Sequence, residues 1–431
     1  MAEIKPIRAW RYNRELSQNI EQLTSPLFDV VSDRQRETLY KNPYNSIHLS
    51  VPLHANGEVQ KLLNRWKYEN VIEQDQLPGI YVYYQYFSLT GSPAAYVRKG
   101  FICHIKAYHW DEKVVLRHEN TMPGSVNDRT ELLEKTLLNA SPTHGLYTDT
   151  AFELESYMDE SILSPLYETE DYQGVREVLS VIHDAEVIRK FMASLADKAI
   201  ILADGHHRYE ASLAYRRQET AKNPHHTGQE AYNYHLMYLT NTEAHDLQIL
   251  PTHRLVQNLP AFDAAAFLQK LSTYFTIQEV ENPYDVAEII AGKKWAFGLL
   301  LPESAYKLRL KPEVFPTISW KFPPEVKDLD LTVLHYFALY CTLGIAGKDQ
   351  RSDEHLRYSR NFTECITQVR QGQAQCAFVT NAVSMEEIKQ VCASGYTLPP
   401  KSTYFYPKVI CGFLFSSIQP DEFKAPTYSG F

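Results

Sequence analysis

The sequence contains no run of about 18 or more apolar residues, the length that a membrane-crossing helix needs. Its first residues, Met1 to Pro6, carry no apolar signal core. The chain is therefore expected to be soluble and cytoplasmic, with no membrane partner. Lysine and arginine never gather in more than short clusters, and 43 basic against 52 acidic residues leave a formal net charge of -9. Attraction to nucleic acid through bulk charge is not expected. No C-x-x-C pair occurs among the six cysteines (Cys103, Cys341, Cys365, Cys376, Cys392 and Cys411), and most stand in apolar strings such as Gln375-Cys-Ala-Phe-Val. They read as reduced core residues, not as disulfides or metal ligands. The G-x-S-x-G, H-E-x-x-H, G-x-G-x-x-G and EF-hand patterns are all missing, so the classes built on them lose support. No repeat or low-complexity tract marks off a domain.

What is present is a globular chain. At 431 residues, 44% hydrophobic and 22% charged, it exceeds a single small module and suggests about two to four structural units. The 29 tyrosines and 19 phenylalanines outnumber the 17 glycines, which points to packed β-rich layers. Residues 29–52 read as loop, helix and strand, with Ser32 and Gln35 in capping-box spacing and Ser46 opening the strand. Residues 80–87 and 101–108 read as a hairpin about a Gly/Ser/Pro turn. From Val114 a strand is followed by a helix capped by Asp128 with Glu131. Between Asp184 and Ala214 the order is helix, short strand, helix. That strand, residues 199–203, is a continuous apolar run suited to a position covered on both faces. Residues 234–239 form another strand, and residues 275–280, 295–301 and 305–310 look like a meander with a Pro-Glu-Ser turn. A helix near 331–343, a strand at 374–379, a helix capped by Ser384 with Glu387, and a final strand with Tyr404 to Tyr406 and residues 409–415 follow. Helices and strands do not alternate regularly, so the fold class is α+β with mixed sheets, not a TIM barrel or doubly wound sheet. Three regions are expected, at 1–245, 246–325 and 326–431.

The chemistry concentrates in four strings. Ala203-Asp-Gly-His-His-Arg-Tyr stands where a buried strand gives way to a helix. The first N–H groups of a helix lack intrahelical partners and its dipole favours anions, so Gly205 and Arg208 there make a candidate phosphate cradle. Asp204 can cap the helix, accept a hydroxyl proton or grip an ammonium. Adjacent His206 and His207 lack the i, i+4 spacing that zinc prefers, so no metal ligand set is assigned. His118-Glu-Asn-Thr brings His118, Glu119 and Thr121 to a strand end, where Glu119 is a candidate general base or magnesium ligand. Pro399-Pro-Lys-Ser-Thr-Tyr-Phe-Tyr-Pro-Lys offers Lys401, Ser402, Thr403 and Lys408 as donors to phosphate oxygens, though it is no Walker-type loop. Pro251-Thr-His-Arg places His253 and Arg254 by an apolar strand, as a surface ion pair or as further phosphate contacts. Asp128-Arg129 reads mainly as a helix start.

In order along the chain, these strings together with Ser25-Pro-Leu-Phe-Asp-Val-Val-Ser and Asn42-Pro-Tyr-Asn resemble a large bacterial and archaeal family catalogued as a domain of unknown function, DUF1015. The resemblance covers nearly the whole chain. One departure is Pro26-Leu-Phe-Asp, where the family usually shows a second proline and a tyrosine. The D-G-H-H-R string is also similar to that of archaeal free serine kinases of the ParB and sulfiredoxin-like superfamily, which phosphorylate the free amino acid with ADP. That likeness is confined to roughly residues 100 to 220. It implies a ParB/sulfiredoxin-like core in the first region, elaborated by an N-terminal β-rich part. The second region would then be a β-meander unit, and the third a C-terminal α/β unit completing the site. It further implies Glu119 as base, with Asp204, His206, His207 and Arg208 binding substrate and nucleotide. The implied activity is a phosphotransferase acting on free serine or a similar small hydroxyl metabolite, with Mg2+ and ADP or ATP. Removal of phosphate from phosphoserine, and a nucleotide-binding regulatory role without turnover, are the alternatives. A metal-dependent hydrolase would need a His/Asp cluster that the sequence does not place.

Overall fold

The computed structural model describes residues 2–28, 30–53, 56–89, 93–347, 349–351 and 354–424. It is a mixed α/β protein with several separate sheets, as the α+β pattern predicts. Contacts divide it into two units: the first contains Met1–Arg117, Thr121–Gln248 and Pro407–Phe431, and the second His118–Asn120 and Ile249–Tyr406.

The first unit is organised by a nine-stranded sheet in the order Val115–Arg117, Ile200–Asp204, Thr143–Tyr147, Tyr234–Asn241, Ala95–Lys106, Ile80–Ser88, Arg176–Ile182, Tyr167–Glu170, with Ile4–Lys5 paired to Ala95–Lys106. It is a mixed sheet. Ile200–Asp204 runs parallel to Val115–Arg117 and antiparallel to Thr143–Tyr147. Both faces are covered, which explains the tyrosine-rich composition of Ile80–Ser88. Tyr81 and Tyr83 enter one core with Trp66, Leu179 and Tyr238, while Ile80, Val82 and Tyr84 enter the other with Phe101, Phe191 and Leu202. The period of two in the strand thus serves two apolar layers. Ile80–Ser88 and Ala95–Lys106 are the expected hairpin, in register Tyr81 with Ile102; its Gly91-Ser92 turn lies outside the described residues.

The second unit carries a six-stranded sheet in the order Phe275–Val280, Ala305–Leu310, Ala296–Leu300, Cys376–Val379, His253–Val256, Leu356–Ser359. The strands expected at 246–325 and those after 326 therefore share one sheet, and Pro407–Phe431 groups with the first unit. Here too the strands feed two layers: Phe297 and Leu299 on one side, Ala296 and Leu300 on the other.

Four expectations about secondary structure and strand pairing are corrected. Residues 46–51 are a short helix, Ile47–Ser50, and not a strand. Asn45 Oδ1 accepts from the Ile47 N–H at 2.9 Å while its amide holds Gln22 O and Thr24 O, an Asx turn that starts a helix. The helix expected to be capped by Asp128 begins earlier, at Pro123, because proline suits the first helical turn. The meander order is broken: Phe275–Val280 pairs with Ala305–Leu310, not with Ala296–Leu300. The intervening chain carries the helix Val286–Ile290, which packs in the layer of Ala296, Leu300 and Ala305, so no tight turn forces neighbours to pair. Residues 409–415 form no continuous strand; Gly412 at φ 108° breaks the extended run, and single bridges tie Cys411 to Ser25 and Phe415 to Trp10. Residues 331–343 are helical as expected, but from Leu334 to Thr342 the turns are π-helical.

The capping boxes at Ser32/Gln35 and Ser384/Glu387 both form; Asp29, in the loop expected before the first, lies outside the described residues. All six cysteines are free, and five are buried; Cys341 is exposed, against the expectation of a core position. Among the described residues no helix is long and apolar enough to cross a membrane. Replacing the cap by Ser384→Ala is expected to lower stability by about 1 kcal/mol, read as a shift in the urea midpoint at unchanged slope.

Candidate functional site

In the first unit the strand Ile200–Asp204 is buried throughout and delivers Asp204 to the start of the helix His206–Lys222. Gly205 between them adopts φ 87°, ψ 28°. A Cβ there would meet Thr143 Cγ2 at 2.6 Å and Arg208 Nη2 at 2.9 Å. Glycine is therefore required twice, for the left-handed turn and for the close packing. The first N–H groups of the 17-residue helix have no intrahelical acceptor, which leaves a positive end beside Asp204.

Asp204 lies between two cations. Its Oδ2 pairs with Arg208 Nη2 at 3.1 Å, one helical turn on, and its Oδ1 with Lys408 Nζ. All three side chains are about a tenth exposed, so their charges are screened less than they would be in water. Burial pushes the Asp204 carboxyl up. The charges of Lys408 and Arg208, the hydrogen bond from Lys408 and the nearby His206 outweigh it and hold the carboxyl far below its ordinary value of 3.8. The trio carries one net positive charge. Arg208 is fixed further by donating from Nη1 to Ser141 Oγ at 2.8 Å and Pro142 O at 2.7 Å. His207 Nε2 accepts from the Met122 N–H at 3.0 Å, which joins the helix start to the loop that follows Thr121. His206 is buried.

A row of buried polar groups adjoins this cluster, and the sequence reading did not single it out. Gln85 donates to Lys408 O and to Glu177 Oε1, both at 3.0 Å, and accepts from Arg98. Tyr83 donates to Glu177 Oε2 at 2.6 Å. Burial raises the Glu177 carboxyl to about 8 against these bonds, so it is mainly protonated at neutral pH. His144, opposite Asp204 in the strand register, stacks on Tyr238 at 5.2 Å and is kept neutral by burial and by Arg98. The available signal was a glutamine and a glutamate inside strands otherwise made of apolar and aromatic residues.

Of the remaining candidates Thr121 groups with the first unit, and the others belong to the second. His118 is buried, with Nε2 on Thr403 Oγ1 at 2.8 Å, and its carbonyl accepts from the Leu398 N–H at 2.8 Å. Glu119 beside it is half-buried. Ser402 donates to Pro399 O at 2.6 Å and so closes its own turn, while Lys401 is exposed with φ 54°. His253 and Arg254 form no surface ion pair. Both are buried in the sheet, where Arg254 Nε donates to His335 Nε2 at 3.2 Å and the guanidinium lies 5.4 Å from the Tyr358 ring. Burial lowers the Arg254 guanidinium to about 10. The lysine string is thus divided: Lys401, Ser402 and Thr403 group with the second unit and Lys408 with the first. Among the described residues no group of three or more His, Cys, Asp or Glu side chains is placed to hold a metal ion.

A carboxyl held low by folding contributes stability that is complete above its unfolded value near 3.8 and fades as the pH falls from there towards its folded value. Asp204→Asn is therefore expected to cost about 3–5 kcal/mol at neutral pH. The gap from the wild type should narrow below about pH 4, as measured by urea unfolding across a pH series. A gap independent of pH would remove the ion cluster from the account of stability.

No curated protein matches the sequence. Among solved structures the chain is similar to a conserved hypothetical protein from Pyrococcus furiosus, at 12% identity over 74% of this chain and 95% of that one, with a TM-score of 0.37. Free serine kinase in complex with AMP matches at 12% identity over 75% and 93%, with a TM-score of 0.37. SbnI with C-terminal truncation from Staphylococcus aureus matches at 11% identity over 74% and 87%, with a TM-score of 0.36. Residues 4–332 match the model of the family described as protein of unknown function, DUF1015, and the chain belongs to that family.

Proposed function

We propose that the protein is a phosphotransferase that moves a phosphoryl group between a nucleotide, ADP or ATP, and free serine or a similar small hydroxyl metabolite. The observation that carries this reading is the net positive trio of Asp204, Arg208 and Lys408 at the N-terminus of the helix His206–Lys222. Phosphoryl transfer asks the protein chiefly for positioning and for neutralisation of charge on the phosphate oxygens. The amides of Gly205, His206 and His207 and the ammonium of Lys408 are the groups proposed to meet those oxygens. Asp204, itself paired with Arg208, holds Lys408 in place, and His206 stands beside the carboxylate. His207 Nε2 accepts from the N–H of Met122, the residue after Thr121, and both Thr121 and His207 group with the first unit. The similarity of the D-G-H-H-R string to that of free serine kinases supports the choice of a small hydroxyl acceptor, and it alone assigns Glu119 as base.

The residues do not fit a magnesium ion held by Asp204, because each of its oxygens already faces a cation. The same occupancy favours a second reading, a nucleotide-binding regulatory protein in which Asp204 is structural and nothing turns over.

Phosphorus NMR of the protein, in buffer containing Mg2+, is expected to show phosphoserine forming from L-serine with ADP, ATP or pyrophosphate or, in the reverse sense, supplied phosphoserine being consumed, alone or with AMP. Lys408→Met should lower kcat/KM by about 10²–10³-fold, as loss of one oxyanion donor does. Glu119→Gln should cut turnover and leave nucleotide affinity within about twofold if the residue acts as base. Nucleotide binding without any phosphoserine signal would replace the phosphotransferase by the regulatory reading.

A further inference from the structure

Arg208 also lines a cavity of about 50 Å3 within the first unit, together with Ser50, Arg129 and Asn139 and an apolar wall that includes Leu132 and Ala211. Three buried polar atoms on this lining make no hydrogen bond to nitrogen or oxygen: Ser50 Oγ, Asn139 Nδ2 and Arg208 Nε. Ser50 Oγ faces the Cys411 thiol, a weak partner. Native proteins leave few such groups unsatisfied, and three around one small space call for an occupant. The volume admits a few waters or the polar end of one small molecule.

Charge and shape select between them. Two guanidinium groups line the cavity and no carboxylate does. Arg129 is held at its rim by donating to Ser50 O at 2.7 Å and to Asp128, over the ring of Phe28 at 4.8 Å. All three unsatisfied atoms can donate, so the complementary guest is an acceptor with negative charge. A tetrahedral phosphate would turn oxygens towards Leu132 and Ala211, and the other hydroxyls on the lining, Ser141 and Ser212, are already engaged by Arg208 and His235. A carboxylate has two oxygens, for which these donors suffice, and its carbon substituent suits the apolar wall.

We infer that this cavity is a subsite for the carboxylate of a small organic acid, with Ser50, Asn139 and Arg208 Nε as its donors and Arg129 as its countercharge. As the place where the acceptor of the phosphotransferase is held, the subsite rests on the function proposed above; as a binding site it does not. Because Arg208 also pairs with Asp204, one side chain joins the carboxylate subsite to the positive helix start. An amino or hydroxy acid is the substrate class that follows.

Isothermal titration of the full chain with L-serine and glycolate is the test, with serinol, which lacks the carboxylate, and inorganic phosphate as comparison ligands. L-serine and glycolate are expected to bind and to raise the melting temperature, and serinol to bind at least about tenfold more weakly, as loss of a charged hydrogen-bond partner implies. Ser50→Ala and Asn139→Leu should each weaken L-serine about tenfold, and Asn139→Asp should abolish binding. Melting curves of the variants establish that they are folded, and Ser50→Ala keeps the test open if a change at Asn139 prevents folding. Equal affinity for serinol, binding of phosphate but of neither acid, no binding at millimolar ligand, or folded variants that bind as the wild type would each overturn the subsite. Carboxylate binding with no phosphoryl transfer would sink the catalytic reading alone, and transfer that the folded variants leave unchanged would sink the subsite alone.

Discussion

A carboxylate removed from water has to be compensated, and in this protein Asp204 is compensated twice, by Arg208 four residues on and by Lys408 two hundred and four residues on. The cost of desolvating three ions is offset only when each is held in position and bonded. That requirement accounts for much of the surrounding structure. Gly205 turns the chain without a side chain that would displace Arg208, and Ser141 with Pro142 O takes the other arm of the guanidinium. Gln85 holds the backbone of Lys408. The ends of a strand and a helix and a segment near the C-terminus are thereby tied together by charge.

The nine-stranded sheet supplies the environment in which this charge matters. Its central strands are buried on both faces, so polar side chains there find partners within the sheet layers. Glu177 stays mainly protonated and His144 neutral because burial disfavours their charged forms. The net positive end left at Asp204 is therefore little diluted by its neighbours. Arg254 in the second unit is a contrasting case. It is fully buried and donates to a neutral histidine and a carbonyl, while its Nη2 makes no hydrogen bond.

Local signals in the sequence were reliable where the chain satisfies itself over a few residues. The capping boxes at Ser32 and Ser384 and the hairpin at Ile80–Ser88 appear as read, because each depends on near neighbours and on a simple period. Readings failed where a distant or competing partner decided. The Asn45 side chain, bonded to Gln22 O and Thr24 O, turned residues 46–51 into a helix. A packed helix between strands changed the pairing order in the second unit. Pro123 moved a helix start away from Asp128, and Gly412 interrupted the last strand.

The candidate site shows the same division. By itself the sequence determined that Asp204 to Arg208 stand at a strand-to-helix junction, since burial of a short apolar run and the helical period that follows are properties of adjacent residues. It could present Lys408 only as one lysine in a proline-bounded string. Tertiary structure alone decided that Lys408 belongs with Asp204, that Lys401 to Thr403 group with the other unit, and that Ser50, Arg129, Asn139 and Arg208 face one cavity. Charge pairing and cavity lining act through space, between groups whose distance along the chain carries no record of their contact.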